Sequence, residues 1–186
     1  MIDINIDEEQ FIRAKELLKT IPKAAEKAAV RAINRSVAAG KAAIPKEIKK
    51  VYSYKKGLGK TIVAIRANTG NLTGVVKAEG APQSLSKFKL YPKSPPKRKS
   101  LVKAGVKTGG LKPIPSAFVA KMKSGHIGAF VREGKRRWPI KGLYGPSVPQ
   151  MFANDDVLKP VAKRAQEVLA ERFEHEVQAI LGGFVN

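Results

Sequence analysis
Residues 20–44 read TIPKAAEKAAVRAINRSVAAGKAAI, and this stretch sets the frame for the rest of the chain. At about 100° per residue, Lys19, Lys23, Lys27, Arg31 and Arg35 fan over roughly 160° of one helix face. Ile21, Ala25, Ala29, Ala32, Ile33, Ser36, Ala39, Gly40 and Ala43 take the opposite face. Side chains that small let another backbone approach closely. Thr20 is placed to cap the helix with Pro22 in its first turn. Pro45 is expected to end or kink it near Ala43 or Ile44, because proline lacks the N–H that the ladder needs.

Upstream, Ile2, Ile4 and Ile6 alternate with Asp3, Asn5 and Asp7, the period of a short strand. Asp7, with Gln10 three residues on, suits a capping pattern for a first helix over about Glu8 to Leu18. Downstream, Thr61–Ala67 and Leu72–Ala78 flank Asn68-Thr69-Gly70-Asn71 as a hairpin. Ala117–Lys123 and Ile127–Glu133 flank Ser124-Gly125-His126 as a second one. Between the hairpins, Lys87–Pro115 holds Pro92, Pro95, Pro96, Pro113, Pro115 and Gly109-Gly110. It reads as a long extended basic arm with room for one or two strands. The last helix is expected over Asp155–Leu181, capped by Asn154, with Asp155 and Asp156 at the positive end of its dipole. Its apolar stripe is Val161, Ala165, Val168, Leu169, Phe173, Val177, Ile180 and Leu181, and Gly182-Gly183 stops it. The fold class is therefore α+β: two N-terminal helices, a mostly antiparallel β-sheet with long loops, and a long C-terminal helix, all in one domain over residues 1–186.

Charge is the outlying bulk property. The 186 residues hold 36 Lys plus Arg against 15 Asp plus Glu, a net charge of +21. Residues 57–150 carry 19 of the cations and only Glu79 and Glu133, whereas residues 151–186 are net negative. Such a field favours polyanions: nucleic acid, an anionic membrane surface or an acidic protein. Aromatic side chains are too scattered for a base-stacking platform, so phosphate contact without sequence reading is expected. The DNA-facing candidates are Lys97, Arg98, Lys99, Lys103, Lys107 and Lys112 of the arm, with Lys23, Lys27, Arg31 and Arg35 of the helix.

Most other chemistry is missing. There is no cysteine, which removes disulfides and thiolate metal sites. His126 and His175 have no ligand spacing to a partner, and both read as structural. Gly57-Leu58-Gly59-Lys60-Thr61 lacks the first glycine of a phosphate loop and precedes a strand. No serine sits in a nucleophile-elbow pattern, and paired carboxylates could come only from the termini. No catalytic residue, metal or cofactor is assigned. No apolar run approaches the roughly 18 residues of a membrane span. The start, MIDINIDEEQ, is acidic and lacks the apolar core of a secretory signal.

The segment that enters the last helix is the most distinctive. Residues 134–150 hold three prolines and three glycines, which implies a fixed, extended path with Trp138, Leu143, Tyr144 and Val148 as apolar anchors. Two readings stand: a rigid connector, or a docking strand for a neighbouring subunit. The contact candidates are Trp138, Pro139, Tyr144, Gly145, Pro146, Ser147, Val148 and Pro149.

Residues 117–150 run AFVAKMKSGHIGAFVREGKRRWPIKGLYGPSVPQ. A strand–turn–strand ending in Arg-Glu-Gly, then basic residues, then Pro139-Ile140 and Leu143 to Gln150, resembles the minor tail protein Z family of tailed bacteriophages and prophages. The alanine-rich helix with Ala28, Ala32, Asn34 and Arg35 resembles it too, as does the order helix, basic β region, terminal helix. The resemblance implies a non-enzymatic tail-completion protein at the head-proximal end of a long non-contractile tail, where it enables head–tail joining. It implies a ring around the DNA channel, with six copies because the tubes of such tails are six-fold. Implied partners are other copies, tail-end and head-completion proteins and the DNA, with no membrane. The implied location is the virion neck, and the host cytoplasm during assembly. The alternative reading is a cellular ribosome- or nucleoid-associated basic protein.

Overall fold
The computed structural model describes residues 1–55, 57–58, 61–98 and 100–183. The class is α+β, and every strand pairing among the described residues is antiparallel. The chain divides into two compact units, each assembled from separated segments.

Unit 1 comprises Met1–Glu47, Gly59–Glu79 and Asp155–Asn186. Its sheet has the order β1-β3-β2, from β1 (Ile2–Ile4), β2 (Ile62–Ile65) and β3 (Gly74–Ala78). Its helices are α1 (Glu8–Leu17), most of α2 (Ala24–Val51) and α4 (Asp155–Leu181). The Asp7 carboxylate accepts from the N–H groups of Glu9 and Gln10 at 3.0 and 3.4 Å, which satisfies two donors that the first turn of α1 leaves unpaired.

Helix α2 starts four residues after the expected cap. Pro22 disfavours helical backbone at Ile21, and Lys23 sits at φ 57, in the left-handed region. The chain turns there, Ile21 is exposed, and the helix begins at Ala24. At the other end α2 runs through Pro45 to Val51. An internal proline costs about 3 kcal/mol. Ile44 and Ile48, both fully buried, each contribute about 1.5–3 kcal/mol of apolar burial and offset it.

The alanine face does what its small side chains allow. Ala24, Ala25, Ala28, Ala29 and Ala32 form one cluster with Ala14 and Leu18 of the α1 region and Phe173, Val177 and Ile180 of α4. Ser36 is fully buried on this face and donates to the Ala165 carbonyl at 2.5 Å, so its hydroxyl is not left unpaired. A Cβ on Gly74 would stand 2.6 Å from Ile33 Cγ2, so β3 packs on α2 only with glycine there. Helix α4 spans the expected residues, with Val157 added to its buried stripe, Leu169 half-buried and Leu181 exposed.

Unit 2 comprises Ile48–Leu58 and Gly80–Asn154. It holds three small sheets: β11 (Tyr144–Ser147) with β4 (Pro82–Ser84); β5 (Lys89–Tyr91), β6 (Lys103–Gly105) and β7 (Lys112–Pro113) in that order; and β10 (Ile140–Gly142), β9 (Ile127–Arg132) and β8 (Ala117–Lys121). The expected arm is thus folded back as a three-stranded sheet. Phe88-Lys89-Leu90-Tyr91 alternates buried and exposed, and Val102 and Ala104 are buried as well. That apolar face is enough to hold strands of two or three residues in a proline-rich stretch.

The core of unit 2 gathers on Phe88. Its ring meets Tyr54 edge-on, with centroids 5.3 Å apart at 72°. The Tyr54 hydroxyl donates to Gln83 Oε1 at 3.1 Å, and burial raises its pKa above 10.0. The folded protein therefore holds this proton more tightly than the unfolded chain. That stabilisation is whole below about pH 10 and is lost as pH rises past it. In denaturation midpoints measured across that range, Tyr54→Phe should show a shallower alkaline fall. Superimposable curves for the two proteins would refute this.

Candidate functional site
The two units divide the charge very unequally. Unit 2 carries 20 Lys plus Arg and one carboxylate, Glu133, for a net +19. Unit 1 carries 16 cations and 14 carboxylates, for a net +2. The ion pairs Lys15–Glu26, Arg31–Glu176, Lys77–Glu79, Lys159–Asp155 and Arg164–Glu167 all lie in unit 1. With one carboxylate among 20 cations, unit 2 projects an almost uncompensated positive field.

The folded arm sets out its cations by register. Tyr91, Lys103 and Pro113 oppose one another across β5, β6 and β7, and Lys89 shares their face. All four are exposed, whereas Leu90 and Ala104 on the other face are buried. Lys103 thus stands on a solvent-facing basic patch beside Tyr91. Lys112 is exposed opposite Ala104, and Lys107 is exposed where Tyr52 bridges to it. Lys97 and Arg98 are exposed in the β5–β6 connection, and Lys99 lies outside the described residues. Lys89 was not among the sequence candidates. Its signal was the alternation of residues 88–91, masked by the prolines that follow.

The helix cations belong to unit 1. Lys23, Lys27 and Arg35 are exposed, with Lys23 just before α2. Arg31 is half-buried and reaches Glu176 of α4 at 3.4 Å, so its charge is partly committed inside the unit. Asn34 holds the backbone that follows β2. Its side-chain amide donates to the Ala67 carbonyl at 3.1 Å and accepts from the Ala67 N–H at 2.9 Å. It thereby substitutes for a strand neighbour beyond the end of β2.

The contact candidates separate into surface and support. Trp138 and Tyr144 are 61% and 63% exposed, so neither anchors the segment as the sequence suggested. Aromatic character alone does not say which face of a strand a residue takes. The anchor is Val148, fully buried in α3 (Val148–Phe152), with Met151 and Phe152. Ser147 caps α3 by a capping box with Gln150, and Gly145 lies beneath the Phe88 ring. Pro139 is exposed, and Pro146 and Pro149 are half-buried.

Elsewhere, His175 is exposed on α4, and His126 Nε2 is 3.5 Å from Ser84 Oγ in the β8–β9 turn region. Among the described residues no three His, Asp or Glu side chains are grouped to hold a metal ion. No helix among them is long and apolar enough to cross a membrane. In the glycine-rich stretch 57–61, Gly59 and Lys60 lie outside the described residues.

No curated protein and no solved structure matches the chain. The family model for prophage minor tail protein Z (GPZ) matches residues 10–185, which takes in both units and all the candidates above. On that match the chain belongs to the prophage minor tail protein Z family and is a structural protein of phage tails.

Proposed function
We propose that this minor tail protein completes the tail at its head-proximal end. It assembles there as a closed ring of six copies around the DNA channel and makes the tail competent to join the head. Unit 2 faces the DNA. The observation that carries this reading is the net +19 of unit 2 with Glu133 as its one carboxylate. Dispersed cations suit contact with a moving duplex, because they meet phosphates without the tight base-specific contacts that would stall it. The partners are further copies, neighbouring tail-end and head-completion proteins, and DNA held without sequence preference. The protein works in the virion neck after assembly in the host cytoplasm. Lys97, Arg98, Lys99, Lys103, Lys107 and Lys112 are the proposed DNA-facing set.

Electron microscopy and native mass spectrometry of intact tails test the reading. They should find six copies in one ring at the head-proximal end. A single copy per tail, or a position at the distal tip, would rule it out.

Trp138, Pro139 and Tyr144 are the exposed part of the contact segment and are proposed to touch a neighbour in the assembly. Trp138→Ala and Tyr144→Ala should each change folding stability by no more than about 0.5 kcal/mol, as exposed substitutions do. The same variants should lower the yield of completed tails. A variant that melts early and yet assembles normally would mean that the segment serves the fold alone.

A further inference from the structure
Among the described residues, one face of the β10-β9-β8 sheet is left partly open. Phe118, Phe130 and Ile140 share it by register and are half-buried, and the exposed Trp138 precedes β10. The Arg132 guanidinium lies over the Phe118 ring at 5.0 Å and donates to the Arg137 carbonyl at 2.7 Å. A groove of about 590 Å³ crosses this face, from Phe118 and Lys121 to Trp138 and Ile140. A second groove, of about 670 Å³, lies beside β8, between residues 116–119 and Pro96, Lys97, Arg98, Ser100 and Leu101 of the β5–β6 connection. Phe118 and Arg132 line both grooves, so the two adjoin at that stacked pair and together make a trough. Its walls carry Lys97, Arg98, Lys121, Lys123, Arg132 and Arg137, and no carboxylate lines it.

We infer that this trough is the docking site for an extended, acidic segment of another tail protein, which adds a strand to the free edge of β8. Among the described residues β8 pairs only with β9; at its other edge the Ala117 N–H reaches the Ile114 carbonyl at 3.4 Å, and the rest of that edge offers both N–H and C=O groups. A peptide strand satisfies both kinds of group. A nucleic-acid backbone offers phosphate acceptors alone and would leave the carbonyls unpaired. Among the described residues Trp138 is the one exposed aromatic of the trough, which is too few for successive bases to stack. The cations call for acidic residues in the occupant. Trp138 and Leu101, 61% and 54% exposed, call for apolar residues between them. A second copy supplies no such segment. Its carboxylates sit mainly on α1 and α4, and its acidic strand β1, with Asp3, is paired with β3. The inference rests on membership of a tail-protein family and does not need the ring; it competes with DNA contact only at Lys97 and Arg98, which line the trough and also belong to the proposed DNA-facing set.

The test uses assembled tails in which a photoreactive phenylalanine analogue replaces Leu101 or, separately, Lys123. After irradiation and digestion, both positions should be joined to one segment of a different tail protein, with Asp or Glu interspersed among apolar residues. Hydrogen exchange supplies the second measurement. Amides of residues 118–121 that face away from β9 should exchange at least about tenfold more slowly in tails than in the free protein. Crosslinks to DNA would overturn the inference while favouring the DNA-facing reading of unit 2. Crosslinks to other copies of this chain, crosslinks to a segment without acids, or no crosslink at either position would overturn it too. Unchanged exchange at β8 would overturn strand addition even with an acidic partner joined.

Discussion

Phe88→Ala should destabilise the protein by about 3–5 kcal/mol, the usual cost of deleting a fully buried aromatic ring. The ring is completely buried in unit 2. It is held from two sides: Tyr54 stands edge-on to it, and Gly145 lies so close that a Cβ there would come within 2.7 Å of Phe88 Cε2. Removing the ring forfeits its transfer from water, the pairing with Tyr54 and the packing on the β11 backbone together. Collapse into the space is limited, because Tyr54 is tied to Gln83 through its hydroxyl. For a chain of this length each kcal/mol moves the melting temperature by about 2–4 °C, so a fall of roughly 6–20 °C is expected. Thermal or urea unfolding measures it. A loss under about 1 kcal/mol would mean that the neighbours close the gap and that Phe88 does not hold the unit together.

Sequence and structure agree where the local signals concur and no tertiary demand opposes them. Helix α4 was legible end to end, because its apolar spacing, its two leading aspartates and Gly182-Gly183 all point the same way. Both hairpins were legible for a similar reason. Asn68 shows why: its side chain accepts from the N–H groups of Gly70 and Asn71 at 2.9 and 2.8 Å, a turn fixed within four residues. The failures come where a local rule met a tertiary one. Pro45 was expected to end or kink the helix; it does not end it, because Ile44 and Ile48 are both buried if the helix continues. The prolines of residues 87–115 argued for an open arm, yet Leu90, Val102 and Ala104 supply a face to bury. Trp138 and Tyr144 looked like anchors by size, yet the fold leaves both exposed. The basic site was partly legible, because its cations run almost contiguously through residues 57–150. That Ile48–Leu58 joins them was not, since it follows from hydrogen bonds such as Ser53 N–H to the Val106 carbonyl at 2.9 Å, far apart in sequence.

Neutralising part of the arm should produce the largest change in DNA binding. If the six proposed arm cations each neutralise one phosphate, the log–log dependence of affinity on salt has a slope of about −5.4. A fourfold rise in salt then weakens binding about 2,000-fold. Replacing Lys97, Arg98 and Lys99 together with Gln leaves Lys103, Lys107 and Lys112. The slope should flatten to about −2.7, and the same rise in salt should cost only about 40-fold. The replaced positions fall in the β5–β6 connection, where Lys97 and Arg98 are exposed, so the fold should tolerate the change. The weakening should be equal on unrelated duplexes, because phosphate contacts carry no base information. Titrations of several duplexes across a salt series decide the matter. A sequence preference that disappears in the variant would mean base readout, which a channel lining does not need. An unchanged slope would mean that this connection faces protein, as strand docking beside β8 requires, and the phosphate contacts would then fall to Lys89, Lys103 and the rest of the β5–β7 sheet.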